Sequence, residues 1–202
     1  MENKIESKIN NKLQVKDFIA VGLFAAVYYV VFFATMMLGY IPVLIVVLTL
    51  FTGITGGIPY MLFLTRVKKF GMVTLFGLVC GILTLLIGSG IYPFLTAVIF
   101  GIVADIILKS GGYGGSKHAI GAYSVFCLWT MGFTVNIFLV SNQAYMDSIK
   151  SAYGEEYVSA LMNLMPGWML WVGLAVTLAG GFLGGILGKK VLRKHFEKAG
   201  IA

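Results

Sequence analysis

The sequence predicts an all-α integral membrane protein: a bundle of six transmembrane helices with both termini in the cytoplasm. Of its 202 residues, 59% are hydrophobic and only 11% are charged, whereas soluble domains carry about 25% charged residues. Apolar stretches of about twenty residues recur, each long enough to cross a hydrocarbon core of ~30 Å. No stretch alternates like a barrel strand, and lipid cannot satisfy an open sheet edge, so each stretch is predicted to be a helix.

The spans are predicted to form one membrane domain, residues 18–192, between a cytoplasmic segment, 1–17, and a basic cytoplasmic tail, 193–202. A cleaved signal peptide would be shorter than the N-terminal segment and would lack its acids, so the first helix is expected to stay uncleaved. The second span is expected to be interrupted late, at the sequence GGIP. The six spans are 18–38, 41–64, 72–91, 93–108, 119–140 and 166–188.

Three of the four prolines, Pro42, Pro93 and Pro166, are predicted to begin helices at the outer face. Proline is ordinary at a first helical position, because its missing N–H would be unpaired there anyway. Each helix N-terminus nevertheless offers free N–H donors and a partial positive charge. If the three converge, an outer pocket would suit a carbonyl or a carboxylate.

Lysine and arginine predict the orientation. With the N-terminus inside, 14 of the 15 fall in cytoplasmic segments, and only Lys150 lies outside. This asymmetry predicts a multi-pass protein of the cell membrane with both termini cytoplasmic. The net charge of +7 therefore arises from lysines and arginines expected at the cytoplasmic surface of the membrane. No basic stripe with interleaved aromatics lies outside the spans, so nucleic-acid binding is not expected.

The glycine-rich stretch KSGGYGGSKH, residues 109–118, is predicted to be a cytoplasmic turn rather than a phosphate-binding loop. A phosphate loop needs glycine directly before lysine and a strand before the loop. Here Ser116 precedes Lys117, and a membrane helix precedes the stretch. No segment outside the membrane is long enough to form an ATPase, so any use of ATP would require another chain.

The segment 141–165 is the only sizeable outer connection, and it is amphipathic. Its apolar residues recur at helical spacing, while most of its charges lie off that face. Two interpretations stay open: a surface helix over the outer ends of the bundle, and a lid. The apolar residues are Tyr145, Ile149, Tyr153, Tyr157, Leu161 and Leu164.

Aromatic and polar side chains near the outer boundary are the candidate ligand contacts. An aromatic belt accounts for part of this set. Asn136 is harder to explain in that way, because an amide about one turn inside a span must find a partner. Aromatic walls with a few polar groups are the ordinary form of a small-molecule site. The substrate-binding candidates are Tyr40, Ser89, Tyr92, Asn136, Asn142, Trp168 and Trp171.

Small residues spaced four apart recur in several spans and allow helix backbones to approach closely. Most of these pairs are expected to serve internal packing, and one could dock a partner. In span one the pair is Gly22 and Ala26, with Ala25 beside it. Other pairs are Gly53/Gly57, Gly77/Gly81, Gly180/Gly184, Gly181/Gly185 and Gly184/Gly188.

Ionisable groups and enzyme motifs are sparse in the spans. Asp105 is the only acid within one, and an interfacial pair with Lys109 is favoured over a proton relay. His118 and His195 both lie at the inner surface, so no metal site and no cofactor are expected.

The sequences IGSGI and EEYVSA resemble motifs of membrane proteases but lack their partner residues, so no enzyme is expected. Cys80 and Cys127 are expected to be small buried hydrophobes.

The chain resembles the substrate-binding S components of energy-coupling-factor (ECF) transporters, and more specifically their Trep_Strep group. The resembling stretches are LQVKDFIAVGLFAAVYYVV in span one, GGIPYMLFLTRVKKFG leaving span two, and YPFLTAVIFGIVADIILKSGGY across span four. The resemblance implies an ABC importer subunit that binds a vitamin-like or other small micronutrient near the outer face. It places the pocket between the loop after helix one and the outer parts of helices four to six, with Tyr40, Asn136, Trp168 and Trp171 as pocket candidates.

The resemblance also implies partners. S components dock on a membrane coupling protein (the T component), which is held by two cytosolic ATPases, and are thought to topple to deliver the substrate. Docking uses an A-x-x-x-A seam on helix one, and the matching positions here are Gly22 and Ala26. Glycine in place of the first alanine keeps the seam small.

Two other classes stay open. A self-sufficient secondary transporter would usually show coupling residues and an internal repeat, and neither is visible. A ligand-free membrane scaffold or assembly factor would need only the glycine seams.

Overall fold

The structure is a computed structural model that describes residues 13–138, 143–164 and 166–198. Throughout these ranges the regular structure is helical, which confirms the predicted all-α class. Five helical segments of the described chain are long and apolar enough to cross a membrane. The third predicted span, 72–91, is shorter than expected: its helix, Met72–Leu86, has 15 residues. At 1.5 Å per residue it measures ~22 Å.

Nine α-helices occur in the described ranges. Short 3₁₀ turns, Met37–Tyr40, Pro42–Leu44 and Cys127–Thr130, join some of them. The fifth predicted span is thus two helices joined by a 3₁₀ turn, and the sixth extends to Lys198. The helices are α1 (Val15–Met36), α2 (Ile45–Leu64), α3 (Met72–Leu86), α4 (Ile91–Ser110), α5 (Ser116–Phe126), α6 (Met131–Phe138), α7 (Gln143–Tyr153), α8 (Glu155–Leu164) and α9 (Met169–Lys198).

The two ends of the bundle carry different side chains. At one end, which we call the basic end, Asp17 near the start of α1 pairs with Lys69 in the α2–α3 connection, with 2.7 Å between Nζ and Oδ2. At the other end, which we call the tyrosine end, the ring of Tyr40 lies 5.2 Å from that of Tyr153. Between the ends, α2 packs on α1 and α9, and α4 packs on α3 and α5.

The prolines lie near helix starts, but only Pro93 lies in the first turn of an α-helix, as the third residue of α4. Pro42 begins a 3₁₀ turn before α2, and Pro166 precedes α9 by three residues. The expected interruption at GGIP is wrong, because α2 continues through Pro59. Neighbouring helices stabilise such a helix in a membrane protein despite the missing backbone N–H.

The closest helix contact joins α2 to α9 through glycines. A Cβ atom at Gly53 would lie 2.6 Å from the carbonyl carbon of Gly180. A Cβ atom at Gly57 or at Gly184 would overlap a carbonyl oxygen of the opposite helix. These seams therefore serve internal packing, as the spacing predicted, because only glycine lets the two backbones touch.

A cluster of buried aromatic rings fills the middle of the bundle. Tyr28, Tyr60 and Tyr123 are fully buried there, together with Trp129. The hydroxyl of Tyr123 donates to the carbonyl oxygen of Gly53 at 2.6 Å, and Trp129 Nε1 donates to the Tyr28 hydroxyl at 3.2 Å. The cluster ties α1, α2 and the α5–α6 segment together and forms a rigid base beneath the tyrosine end.

Asp105 does not form the expected pair with Lys109. It is fully buried, and its Oδ2 accepts hydrogen bonds from the backbone N–H groups of Gly71 (3.0 Å) and Thr74 (2.8 Å). The Thr74 hydroxyl donates to the same oxygen at 2.7 Å. Lys109 instead lies 5.4 Å above the ring of Phe70. The carboxylate caps the unpaired N–H groups at the start of α3, which is where a helix favours negative charge.

We expect Asp105→Ala to lower the free energy of unfolding by roughly 2–4 kcal/mol, because three donors lose their acceptor. Asp105→Asn, which keeps one carbonyl oxygen, should cost less. Thermal unfolding of the purified protein, compared with Asp147→Ala at an exposed acid of α7, measures the difference. Equal transition temperatures for the Asp105→Ala and Asp147→Ala variants would exclude a capping role.

Candidate functional site

A cavity of about 180 Å³ lies at the tyrosine end, between the bundle and the two short helices α7 and α8, which we call the cap. Its walls come from the α1–α2 connection, the first half of α2, the segment from the 3₁₀ turn at Cys127–Thr130 into α6, and the cap. The lining residues are Met36, Gly39, Ile45, Leu48, Thr49, Thr52, Thr130, Phe133, Thr134, Ile149, Tyr153, Tyr157 and Leu161.

The cap differs from the single surface helix that was one interpretation of residues 141–165. Gly154, with φ +89°, separates α7 from α8, a backbone conformation that glycine adopts at little cost. Four residues of the predicted apolar stripe, Ile149, Tyr153, Tyr157 and Leu161, line the cavity. The stripe therefore covers a cavity rather than only the helix ends.

Tyrosine contacts fasten the cap to the bundle. The hydroxyl of Tyr157 donates to the carbonyl oxygen of Gly39 in the α1–α2 connection at 2.6 Å. The Tyr157 ring stacks on that of Tyr153 at 4.8 Å, and Tyr153 also contacts Tyr40. Burial, and to a lesser degree the nearby Tyr153, raises the pKa of Tyr157 to about 12. The hydroxyl therefore stays protonated at physiological pH and keeps donating.

We expect Tyr157→Phe to loosen the cap without unfolding the bundle. Loss of one hydrogen bond is worth about 0.5–1.5 kcal/mol, so hydrogen exchange in α7 and α8 should become roughly threefold to tenfold faster. Hydrogen–deuterium exchange with mass spectrometry makes the measurement. Tyr92→Phe, which removes a hydroxyl at the start of α4 and outside the cavity lining, is the control. Unchanged exchange in the cap would show that this bond does not hold it.

The cavity wall combines apolar surface with hydroxyl groups. None of the described lining residues carries a charge. Two hydroxyls bond within their own segments: Thr52 donates to the carbonyl oxygen of Thr49 at 3.1 Å, and Thr130 donates to that of Cys127 at 2.9 Å. The hydroxyl of Thr49 itself is buried without a hydrogen-bond partner. An unpaired buried hydroxyl costs free energy that a bound acceptor could recover.

Asn136, the strongest single candidate from the sequence, has a different role in the structure. Its side chain is 1% exposed, and its Nδ2 donates to the backbone carbonyl oxygen of Ser89 at 2.7 Å. Gly90, with φ +82°, lies against the same amide. Asn136 and Ser89 are thus brought together, and they stabilise the α3–α4 turn rather than line the cavity.

The aromatic candidates lie outside the cavity lining as well. Trp168 and Trp171 are 63% and 71% exposed, as expected of a membrane-interface belt. Tyr92 is half-buried in the first turn of α4, and Tyr40 reaches the cavity only through its contact with Tyr153. Asn142 lies outside the described residues.

The small-residue seam on α1 is divided between two faces. Gly22 and Ala26 are exposed, and no atom lies within 4 Å of a Cβ placed at Gly22. Ala25, by contrast, is fully buried in the core. Adjacent helix positions point in directions about 100° apart, so Ala25 packs inward and the accessible seam consists of Gly22 and Ala26.

The sequence analysis did not identify the threonine hydroxyls that line the cavity, although the spacing of these threonines indicates them. Thr49 and Thr52 are three apart in the second span, and Thr130 and Thr134 are four apart in the fifth. Both spacings place the two hydroxyls on one face of a helix. Threonines are common in membrane helices, however, and usually bond to their own backbone.

Other features of the described chain are weaker candidates for a functional site. A second cavity, of about 190 Å³, lies at the basic end beside the glycine-rich turn, with Tyr113, Ser116 and Lys189 in its lining. Helix α4, not a strand, precedes that turn. Within the described ranges no three His, Cys, Asp or Glu side chains lie close enough to hold a metal ion.

Comparison with known proteins identifies a family that matches most of the chain. A family described as "Hypothetical bacterial integral membrane protein (Trep_Strep)" matches residues 15–198. No curated protein and no solved structure matches the chain. The matched range includes α1 to α9, and so contains both the cavity at the tyrosine end and the exposed seam on α1.

Proposed function

The chain belongs to the Trep_Strep family of hypothetical bacterial integral membrane proteins, and from this premise we propose that it is the substrate-binding S component of an ECF-type importer. It captures a small, vitamin-like molecule at one face of the membrane and delivers it to the other. It has no catalytic role of its own. The observation that carries the proposal is the cavity covered in part by the cap at the tyrosine end.

The position of the cavity supports a substrate-binding role. Two of its walls correspond to regions that the resemblance to S components implies: the loop after the first helix and the outer part of the fifth span. The outer parts of the fourth and sixth spans, which the resemblance also implies, contribute no described lining residue. Apolar walls with a small number of hydroxyls are typical of small-molecule sites. A cap fastened by one short hydrogen bond and stacked rings can open at modest cost.

The exposed pair Gly22 and Ala26 supports a docking role. A Cβ at Gly22 would meet nothing within 4 Å, so the backbone of α1 is accessible to a second helix. Large apolar side chains flank the pair, with Ile19 and Leu23 both exposed. This surface suits close approach by a helix of the membrane coupling protein, which in turn would carry two cytosolic ATPases.

The distribution of charge supports one orientation. Lys69 and Lys189 lie at the basic end, so the positive-inside tendency favours that end in the cytoplasm. The tyrosine end, with the cavity and the exposed Trp168 and Trp171, then faces outward. In a bacterial cell membrane, this orientation lets the cavity load from outside.

Purification of the tagged full-length chain from its native membrane in mild detergent, followed by mass spectrometry, tests the proposal. We expect a membrane coupling protein and two ATPases to co-elute, together with any retained small molecule. A different tagged multi-pass protein from the same cells is the control for non-specific recovery.

Other outcomes of this experiment would favour other classes. A stable homo-oligomer that recovers no ATPase, yet transports a small molecule in proteoliposomes, would make the chain a self-sufficient secondary transporter. A homo-oligomer with neither ATPase nor transport would indicate a scaffold or assembly factor.

A further inference from the structure

We propose that the cavity at the tyrosine end takes an uncharged single-ring molecule whose carbonyl or similar acceptor bonds to the hydroxyl of Thr49. This inference rests on the proposed function and specifies the chemical class of the substrate. The size of the cavity, the absence of charge in its described lining and the unpaired hydroxyl each support it.

The size of the cavity favours a ligand of about one ring. The cavity measures about 180 Å³, whereas sites for drug-sized ligands measure roughly 300–1,000 Å³. An engineered apolar cavity of about 150 Å³ binds benzene. A ring with one small polar substituent, roughly seven to ten non-hydrogen atoms, therefore fits the space under the cap.

The walls favour an uncharged ligand. Phe133, Tyr153, Leu48 and Leu161 supply aromatic and aliphatic surface, and no described lining residue carries a charge. The nearest ion pair, Lys150 with Glu155 at 2.6 Å, is exposed, and each of its members neutralises the other. An ionised ligand would lose its hydration without gaining a counter-ion, which is costly in an apolar site.

The unpaired hydroxyl indicates where the polar group of the ligand lies. Thr49 lines the cavity, and its hydroxyl is buried without a hydrogen-bond partner. Rotation about χ1 exchanges the hydroxyl and the methyl group of a helical threonine, so the hydroxyl can turn toward a ligand.

Three probes that share one ring and differ in charge test the class: benzamide, benzoate and benzylammonium. The full chain is reconstituted in nanodiscs, and binding is followed by ligand-observed NMR against empty nanodiscs. A probe of about nine non-hydrogen atoms should have a Kd between micromolar and millimolar. We expect benzamide to bind at least tenfold more tightly than either ion, because the ions pay the larger desolvation cost.

The variants Thr49→Val and Thr49→Ser test the contact. Loss of the hydroxyl should weaken benzamide binding roughly threefold to tenfold, and serine should restore it. Thr65→Val, at a hydroxyl that already donates to Leu62 at the basic end, should change nothing. An equal loss in the Thr65→Val variant, or no loss in Thr49→Val, would overturn the assignment of the Thr49 hydroxyl as the donor to the ligand.

The remaining outcomes separate the substrate class from the proposed function. Tighter binding of benzoate or benzylammonium than of benzamide would overturn the uncharged class, as would failure of all three probes to bind the folded protein. Either result would leave the S-component proposal standing if the coupling protein and ATPases still co-elute. If an uncharged ligand binds but the coupling protein and ATPases do not co-elute, the uncharged substrate class would stand and the importer proposal would be wrong.

Discussion

Gly184→Ala is expected to prevent the chain from forming a stable bundle. The added methyl group would overlap the carbonyl oxygen of Gly53 and lie 2.9 Å from the Cα atom of Ile54. Both obstacles are backbone atoms, so no side chain can rotate away, and α2 and α9 would have to separate along their length. Overpacking usually costs about 1–3 kcal/mol, and this backbone contact should cost 3 kcal/mol or more.

Size-exclusion chromatography and thermal unfolding in detergent measure the effect. We expect the Gly184→Ala variant to elute mainly as aggregate, with a transition too low to resolve in the remainder. Gly22→Ala is the matched control, because it adds the same methyl group to a helical glycine with nothing within 4 Å. Alanine also favours the helix by up to about 1 kcal/mol over glycine. Two equally stable variants would mean that α2 and α9 do not pack this closely.

Gly22→Leu is expected to abolish uptake while leaving the fold and ligand binding intact. The substitution places a large side chain on the exposed face of α1, where a Cβ atom has no heavy atom of a neighbouring helix within 4 Å. It would hold a partner helix several ångströms away, and close approach is what a small-residue seam provides. If the seam docks the coupling protein, uptake should fall more than tenfold, and recovery of the ATPases should fall with it.

Two controls separate docking from folding. Gly22→Ala keeps the seam small and should retain uptake. Gly121→Leu adds the same bulk to α5, also at a glycine with nothing within 4 Å, and should have little effect on uptake. A Gly22→Leu variant with full uptake would remove the docking role, and one with weakened ligand binding would indicate damage to the bundle instead.

The general architecture could be predicted because composition and periodicity determine it. Apolar stretches of span length have few alternatives to a membrane helix. Small residues four apart, such as Gly53 and Gly57, indicated close helix packing but not that α2 would pack on α9. The helix ends were less predictable. Whether Pro59 ends α2 depends on the helices around it, and α3 stops at Leu86 although apolar residues continue to Ile87.

The candidate site was predictable only in part. The apolar stripe that contains Tyr153, Tyr157 and Leu161 was visible, because its spacing is local. The partner of Asn136 was not, since Ser89 lies 47 residues away in the chain. A sequence that does not show this contact cannot distinguish a structural amide, which stabilises a turn, from an amide that binds a ligand. The unpaired hydroxyl of Thr49 likewise depends on the geometry of several segments.

The short α3 helix implies an uneven fit between the protein and its bilayer. Its 15 residues reach ~22 Å, about 8 Å less than a typical hydrocarbon core. Where α3 spans the bilayer, the lipid beside it would have to thin, at a cost of a fraction of a kcal/mol per Å, whereas lipid beside the 22 residues of α1 would not. The bilayer strain would then be concentrated on one flank, and we expect the protein to be sensitive to acyl chain length on that side alone.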